Sequence, residues 1–384
     1  YEMPESLVEK GKKIVLLRRK NYWGKEEKFN KGTYNFDRIE FIVEKDSHKA
    51  FERFKKKDFD VYNVDIGVAQ KWDMNDPKIE RGLIQERKIF NKAPQLMTTL
   101  IFNMRTPPFD NLNVRKAFTL LFNRKKIIKT HFSEEYAPLD SYYSNSIYAN
   151  PDNPRYRYNF EKAVKLLVKA GWDEKNKDGW LVKNGKVFET SISGLVKYIE
   201  FLEKIYGKDL RKAGIKVKFE HLKNYEKILK HEFDMCFIGL QPDQFPDVDQ
   251  MWPSDLADQE YSYNFAGLKL QKVDQICKIY NRMFLQRQRI EAVQILDSIL
   301  MKHHPFALGW GMNCQYIFYW NEFDYPVGYI SNTGDFWDIL KLWSISQKKK
   351  AKLQKAMKDK TIKLKQGKVN QKYWINYQQK PNQK

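Results

Sequence analysis

The sequence predicts an α/β protein. Three observations carry this prediction: a strand-helix-strand order near the start, helices with apolar residues at helical spacing, and an apolar strand that stops before a proline. That strand is residues 233–240, and Pro242 follows it. With 384 residues, 42% of them hydrophobic and 15% aromatic, the chain is long enough for about two or three domains.

The first predicted elements alternate in type. Residues 12–19 are an apolar run with charged ends, and residues 36–44 alternate polar and apolar side chains at period two, so both are predicted strands. Residues 48–57 place their apolar side chains on one face of a helix. Residues 59–64 form the next apolar run, and the strand-helix-strand order is then complete.

The middle of the chain contains two amphipathic helices. The apolar, β-prone residues 96–103 predict a strand, after which Asn113 is placed to cap a helix. Asn159 begins a second amphipathic helix, and Gly171 ends it. The two helices are separated by a polar and aromatic connection over residues 134–158.

Turn residues set the order of the later elements. They predict a hairpin at Asp178-Gly179 and Asn184-Gly185, strands over residues 187–192, 215–219, 233–240, 306–310 and 315–320, and helices over 198–213, 225–229 and, as one long or kinked helix, 273–301.

The positive charge is concentrated at one end. The formal net charge is +21, and residues 347–384 carry +12 of it through thirteen Lys and one Asp. Such a run predicts a solvated, disordered tail. The alternative is a basic helix that binds nucleic acid or an anionic membrane, with Tyr373 and Trp374 as stacking or interfacial groups.

Catalytic motifs are missing from the sequence. It has no phosphate-binding glycine loop, no nucleophile elbow, no zinc-ligand spacing and no run of about 18 apolar residues. Asp243 and Asp247 could be paired acids of a glycosidase, but no second motif supports that. His303 and His304 are expected as a partly exposed pair at a helix end, and the three cysteines as small buried residues. We therefore expect no enzyme, no cofactor and no metal site.

Motifs in a recognisable order extend over most of the chain. They are L-L-R-R-K-N-Y-W-G from Leu16, F-N-M-R-T-P-P-F-D-N-L-N-V-R-K-A-F from Phe102, Y-N-F-E-K-A-V-K-L-L-V-K-A-G-W from Tyr158, L-R-K-A-G-I-K-V from Leu210 and F-D-M-C-F-I-G-L from Phe233. Together they resemble family 5 of the extracellular solute-binding proteins of ABC transporters, the oligopeptide- and dipeptide-binding proteins. Y-S-Y-N-F-A-G-L-K, from Tyr261, is similar to the branch associated with microcin C and peptide uptake.

The resemblance implies a two-lobed fold like that of the class II periplasmic binding proteins, with a ligand trapped when the lobes close. Residues 1–130 and 306–345 are expected to form part of lobe one, residues 131–305 lobe two, and residues 346–384 the basic tail. Family members have a substantial portion before the position that matches Tyr1. The fold is therefore expected to be N-terminally incomplete.

Three carboxylates, Asp243, Asp247 and Asp249, follow the strand over 233–240 in a chain that is otherwise basic. In peptide-binding members of the family an Asp in this loop pairs with the α-ammonium of the ligand, and the resemblance places it at Asp243. A carboxylate in a poorly hydrated cleft binds a cation more strongly than it would in water. The alternative is that Asp243 caps a turn after Pro242, and Asp247 and Asp249 are expected to cap the next helix.

Further residues are expected near the ligand through the same resemblance. Ordinary packing is the alternative for the aromatic residues among them. They are Gln241 in the Asp243 loop, Asn103 in the second motif, Tyr263, Asn264 and Phe265 in the branch motif, and Trp310 after a late strand.

The implied function is that of the extracytoplasmic solute-binding component of an ABC importer, binding oligopeptides or peptide-like compounds. The expected partners are an oligopeptide ligand and an inner-membrane ABC permease complex. The protein is expected to be a monomeric periplasmic or extracytoplasmic lipoprotein that binds no nucleic acid. Related binders take nickel complexes, haem or sugars, so the ligand class stays open.

Overall fold

The computed structural model describes residues 1–64, 76–94, 96–132 and 135–378, and the chain divides into two compact units. Unit 1 comprises Tyr1–Ala93 and Cys314–Lys384, and unit 2 comprises Pro94–Asn313. These bounds lie at residues 93 and 314, whereas the expected lobe bounds lie at 130 and 306. The assignment of lobes stays a prediction.

The strands within the described residues are numbered in chain order. They are β1 Val8–Glu9, β2 Lys13–Leu17, β3 Arg38–Ile42, β4 Val61–Asn63, β5 Ile84–Ile89, β6 Met97–Phe102, β7 Tyr136–Pro138, β8 Glu174–Lys175, β9 Leu181–Lys183, β10 Lys186–Val187, β11 Glu189–Leu195, β12 Lys216–Leu222, β13 Met235–Leu240, β14 Phe306–Leu308, β15 Trp310–Met312, β16 Gln315–Trp320, β17 Phe323–Asp324, β18 Ser344–Ile345 and β19 Asn370–Gln371.

The α-helices are numbered in the same way, and three single-turn 3-10 helices at Glu5–Leu7, Lys28–Asn30 and Ser254–Leu256 are left unlabelled. They are α1 Ser47–Lys55, α2 Pro77–Glu80, α3 Leu112–Leu121, α4 Arg124–His131, α5 Phe160–Lys169, α6 Val196–Ala213, α7 Glu226–Leu229, α8 Val248–Met251, α9 Gln271–Tyr280, α10 Gln286–His303, α11 Asp338–Leu342, α12 Gln347–Lys358 and α13 Tyr373–Gln378.

Unit 2 is built on a five-stranded sheet with the order β12-β11-β13-β6-β14. Strands β12, β11 and β13 are parallel, and β6 pairs antiparallel with both β13 and β14. The first four residues of β13, Met235–Ile238, are all buried, as expected for a strand covered on both faces. The carboxyl end of this central strand leads into the loop that carries Asp243.

Capping residues fix the helix ends of unit 2. Asn159 caps α5 by accepting a hydrogen bond from the Lys162 N–H, as predicted. The cap of α3 is Asn111, not Asn113 as predicted, because the Asn111 side chain accepts the N–H of Asn113. Gly214 ends α6 with a φ of 91°, a left-handed conformation that suits glycine.

Two predicted elements of unit 2 are wrong in their extent. Residues 187–192 do not form one strand, since β10 pairs with β9 while β11 belongs to the five-stranded sheet. Residues 273–301 form two helices, α9 and α10, separated by residues 281–285. Side chains hold the break: Asn281 donates to the Asp249 carboxylate, and Arg289 Nε donates to the Met283 carbonyl at 2.7 Å.

Unit 1 contains the β1-β2-β3 sheet, the β19-β5-β16-β4 sheet and the β17-β18 pair. Its core is rich in aromatic residues. Trp343 is fully buried, its ring centroid lies 4.8 Å from that of Tyr319 and 5.6 Å from that of Phe323, and its Nε1–H donates to the Tyr329 carbonyl at 2.7 Å.

The prediction of a disordered tail is wrong for the described part of residues 347–384. Helix α12 buries Leu353 and Ala356, which lie three residues apart on one face. Strand β19 pairs in parallel with β5, and Trp374 Nε1 donates to the Ile330 carbonyl at 2.9 Å. The apolar residues Leu353 and Ala356 anchor the segment in unit 1, and Lys349 adds a hydrogen bond of 2.7 Å to the Phe323 carbonyl and an ion pair of 2.8 Å with Asp324. The net charge alone does not predict these contacts.

The three cysteines are buried, which confirms their prediction as small buried residues. Burial raises the pKa of the Cys277 thiol to about 12. None of the helices in the described part of the chain is both long enough and apolar enough to cross a membrane.

His304 differs from its prediction because it is buried, only 2% exposed, at the left-handed end of α10. Its Nδ1 lies 3.1 Å from Thr119 Oγ1, and its ring packs edge-on against Tyr156 at 4.3 Å. Burial, and then the positive charges of Lys116 and Arg115, lower the pKa of His304 to about 3. The folded protein therefore holds this imidazole neutral.

We expect His304 to make unit 2 less stable in mild acid. An unfolded histidine titrates near pH 6.5, so below that pH the unfolded chain binds a proton that the folded chain rejects down to about pH 3. The free energy of unfolding should fall by about 2 kcal/mol between pH 7 and pH 5. Urea titrations at a series of pH values would measure this slope. Because the pKa values of His131, His231 and His303 are also lowered, His304→Asn should reduce this slope strongly without abolishing it. Asparagine tolerates the left-handed backbone, and the exposed His221→Asn should keep the slope.

Candidate functional site

The candidate site forms where β13 ends. Pro242 has no backbone N–H to continue the ladder, so the chain leaves the sheet after Leu240. The loop over residues 241–247 then leads into the short helix α8. A polar loop at the end of a buried central strand is a common position for a binding site.

This loop borders a pocket of about 80 Å³ in unit 2, called here the Asp243 pocket. Its floor is aromatic: Trp252 and Tyr143 are buried, Trp252 Nε1 donates to the Tyr143 hydroxyl at 3.1 Å, and the Tyr142 ring meets Trp252 edge-on at 5.6 Å. The lining residues are Met97, Tyr142, Tyr143, Leu240, Gln241, Pro242, Asp243, Pro246, Asp247, Met251 and Trp252.

Two carboxylates, Asp243 and Asp247, lie in this lining, which has no Lys, Arg or His among its described residues. Asp247 Oδ2 accepts a hydrogen bond of 2.6 Å from Gln250 Nε2. Within the described parts of the chain, nothing donates to or pairs with the Asp243 carboxylate, so the alternative role of capping a turn is not realised. The exposed Asp243 is thus free to bind a cation.

Contrary to the prediction, Asp247 and Asp249 do not cap helix α8. Asp247 stands at the N-cap position, yet its side chain makes no capping hydrogen bond. Asp249 lies in the first turn, and partial burial followed by the charge of Asp247 raises its pKa. Asp247 therefore lies at the start of α8 without a hydrogen bond from the helix backbone.

Asn103, Asn264 and Phe265 meet one another away from the Asp243 pocket, around Arg105. The Arg105 guanidinium donates to the carbonyls of Ala257 at 2.8 Å, Asn264 at 2.9 Å and Phe265 at 2.9 Å, and to Asn103 Oδ1 at 3.0 Å. Both asparagine side chains are buried and hydrogen-bonded to backbone groups, and Phe265 is buried in the core of the unit. Their contact with a ligand stays a prediction.

Neither Trp310 nor Tyr263 lines the Asp243 pocket. Trp310 is fully buried, with its ring 5.1 Å from that of Phe132 and 5.6 Å from that of Phe237. Tyr263 is half exposed, and its ring meets Phe265 at 5.8 Å. Of the predicted site residues, the structure brings only Gln241 and Asp243 into the lining of one described pocket.

Sequence reasoning missed the pocket floor. Tyr142 and Tyr143 come from the connection between α4 and α5, about a hundred residues before Asp243 in the chain. The signal was the dense run of aromatic and polar residues in that connection, which a solvated linker does not need. Among the described residues, no group of three or more His, Cys, Asp or Glu side chains is placed to hold a metal ion.

Comparison with known proteins identifies the family to which this chain belongs. The sequence profile of the bacterial extracellular solute-binding proteins, family 5 (middle), matches residues 3–262. A protein of Brucella suis biovar 1, provisionally named a binding protein, is 24% identical over 361 residues, which cover 83% of this chain and 58% of the relative. The chain therefore spans less than two thirds of that relative.

Solved structures share the fold. The oligopeptide-binding protein AppA of Bacillus subtilis, in complex with a nonapeptide, has a TM-score of 0.68 at 20% identity and matches 90% of this chain and 66% of its own. NikZ of Campylobacter jejuni, in complex with Ni(L-His), has a TM-score of 0.69 at 19% identity, with 90% and 67% covered. These likenesses confirm the predicted α/β fold of the periplasmic-binding-protein type, while the microcin C branch stays a prediction. The family 5 profile matches residues 3–262, more than half of this chain. The chain therefore belongs to family 5 of the bacterial extracellular solute-binding proteins.

Proposed function

We propose that this protein is the solute-binding component of an ABC importer and that it binds oligopeptides or peptide-like compounds by their free amino group. Family membership and the fold shared with the oligopeptide-binding AppA support this function. The observation that carries it is the Asp243 carboxylate, which has no partner among the described residues and lies beside an aromatic floor.

The charges of the pocket favour a cation. A ligand ammonium that reaches Asp243 replaces water on both groups and forms a charge-assisted hydrogen bond. Asp247 adds a second negative charge to the lining, and no described cation of the lining competes for either carboxylate. The rings of Tyr143 and Trp252 offer apolar cover to the carbon atoms next to the ammonium.

The size of the pocket limits what it holds. Sites that enclose a drug-sized ligand have volumes of roughly 300–1,000 Å³, whereas the Asp243 pocket has about 80 Å³. It therefore receives the amino terminus and part of the first residue, and the remaining residues of a peptide lie outside it. Recognition of one end leaves the other side chains free to vary, as a peptide importer requires.

We expect Asp243→Ala to weaken the binding of free-amine peptides about ten- to a hundredfold, because a hydrogen bond to a charged group contributes roughly 1.5–3 kcal/mol. The same peptides with acetylated amino termini should bind the variant and the parent protein equally. Isothermal titration calorimetry with both peptide sets measures this difference.

Glu260→Gln is the matched control, since it removes an exposed carboxylate outside the pocket lining and should change neither affinity. Equal weakening of free and acetylated peptides by Asp243→Ala would contradict the role of Asp243. Failure of the parent protein to bind any peptide of a mixed library would contradict peptide binding itself.

The remaining features of the proposal are those of the family. We propose an extracytoplasmic lipoprotein that acts as a monomer, delivers its ligand to an inner-membrane ABC permease complex and binds no nucleic acid. The family name supports the extracellular location. Trp374, one of the two stacking groups that the nucleic-acid alternative requires, instead donates its Nε1–H to the Ile330 carbonyl of unit 1, and the proposal therefore includes no nucleic acid. Size-exclusion chromatography and co-purification with the permease test the monomer and the partner.

A further inference from the structure

The loop between β2 and β3, residues 18–37 of unit 1, combines cations with exposed aromatic side chains. Residues 18–31 contain six basic and two acidic residues, a net charge of +4. Arg18 pairs with Asp37 at 2.8 Å. Within the described chain, no carboxylate pairs with the other five, which are Arg19, Lys20, Lys25, Lys28 and Lys31.

Trp23 and Phe29 project from this loop, with 82% and 71% of their surfaces exposed. Leaving two large aromatic rings in water is costly when the rings serve no partner. Both rings have unpaired cations as close neighbours in sequence. Trp in particular is the residue that favours the interface between water and lipid.

The same loop borders a pocket of about 780 Å³ within unit 1. Arg18, Arg19, Lys20, Lys25, Tyr22 and Tyr34 are among its lining residues. Four of the lining residues are cations and one, Asp37, is an anion, so the pocket favours a negatively charged group. Its volume is sufficient for a phosphorylated glycerol headgroup.

Hydrogen bonds fix the form of the loop. Asn30 Nδ2 donates to the Gly24 carbonyl at 2.9 Å, and Thr33 Oγ1 donates to the Asn30 carbonyl at 2.8 Å. Gly24 is buried, and a Cβ atom at this position would lie 2.9 Å from the Tyr22 ring. The loop thus presents Trp23 and Phe29 from an ordered turn, which lowers the entropy lost on binding.

We propose that the β2–β3 loop is a docking surface for an anionic phospholipid membrane. The cations contact the phosphate groups, the pocket receives a headgroup, and Trp23 and Phe29 enter the interfacial region. Charge complementarity favours a lipid over a neutral protein surface, and the exposed rings favour a membrane over a soluble phosphate compound. Helix α12 is a less suitable membrane-docking surface. Its basic face is exposed, but its apolar residues Leu353 and Ala356 are buried in unit 1 and cannot enter the lipid interface.

The test is co-sedimentation of the full chain with vesicles of phosphatidylcholine alone and with vesicles that also contain phosphatidylglycerol. We expect the protein to bind only the vesicles that contain phosphatidylglycerol, and we expect added salt to weaken this binding. Trp23→Ser with Phe29→Ser, and separately Arg19→Glu with Lys20→Glu, should each lower the vesicle affinity about tenfold or more. Trp23→Phe should keep binding and lose much of the fluorescence quenching by brominated lipids.

Two matched control variants change one exposed aromatic ring and one exposed cation outside the β2–β3 loop. Phe245→Ser removes an exposed ring beside carboxylates, and Lys352→Glu reverses an exposed cation of α12; both should bind like the parent protein. Parent-like binding by the aromatic double variant, or equal loss in the controls, would overturn the proposal. So would binding of free glycerol 3-phosphate strong enough to displace the vesicles, since the pocket would then be a site for a soluble anion.

Discussion

Asp297→Leu is expected to lower the free energy of unfolding of unit 2 by about 4 kcal/mol or more. Asp297 is fully buried on α10, and its carboxylate accepts four hydrogen bonds from the connection that carries the pocket floor. The donors are Ser141 Oγ at 2.7 Å, the Tyr142 N–H at 2.9 Å, the Asn150 N–H at 2.9 Å and Asn153 Nδ2 at 2.7 Å.

The effect is large because leucine cannot accept the four hydrogen bonds that the Asp297 carboxylate accepts. Each buried donor that loses its acceptor costs about 1–3 kcal/mol, and four lose theirs at once. Burial raises the pKa of Asp297, and the hydrogen bonds oppose that shift by stabilising the carboxylate. The donors and the acceptor therefore support each other, and removing one side is costly.

The measurement is urea unfolding combined with hydrogen exchange of peptides from residues 141–153. Asp297→Asn, which keeps one acceptor oxygen, should cost less than leucine, and the exposed Asp152→Asn should change stability by less than about 0.5 kcal/mol. Because Tyr142 and Tyr143 line the Asp243 pocket, the leucine variant should also weaken peptide binding. Unchanged exchange over 141–153 would contradict the role given to Asp297.

The sequence predicted the strand-helix-strand order and the cap at Asn159 because these features depend on neighbouring residues. It failed at residues 281–285, where the helix breaks without Gly or Pro. The break is held by Arg289 and by Asp249, which lies 32 residues before its partner Asn281. Such contacts depend on the tertiary fold, and a local pattern does not contain them.

The candidate site divides in the same way. The resemblance to the family indicated Asp243 and Gln241, which follow directly from the end of a recognisable strand, and both line the Asp243 pocket. The floor residues could not, since their position depends on the anchoring of a distant connection by Asp297. One local signal was available: Asp297 falls on the stripe of α10 that also contains the buried Val293, Leu296 and Leu300. A charged residue on an apolar stripe indicates a buried polar network.

Trp343→Ala is expected to destabilise unit 1 by about 3–5 kcal/mol, the typical cost of truncating a buried tryptophan. Its ring fills the space between Tyr319, Tyr325 and Phe323, with centroid distances of 4.8, 5.0 and 5.6 Å. The variant also leaves the Tyr329 carbonyl without the indole N–H. Residues this large and rigid leave a cavity that their neighbours close only in part.

Two further variants separate volume from hydrogen bonding at Trp343. Phe at this position keeps much of the aromatic packing and removes the indole donor, so it should cost about 1–3 kcal/mol, less than alanine. Trp337→Ala removes a ring that is 56% exposed and should cost less than about 1 kcal/mol. Urea unfolding followed by hydrogen exchange of peptides from residues 315–345 assigns each loss to unit 1. If alanine at 343 cost no more than alanine at 337, the aromatic cluster would not be the core that stabilises unit 1, because a filled interior must respond to the loss of its largest side chain.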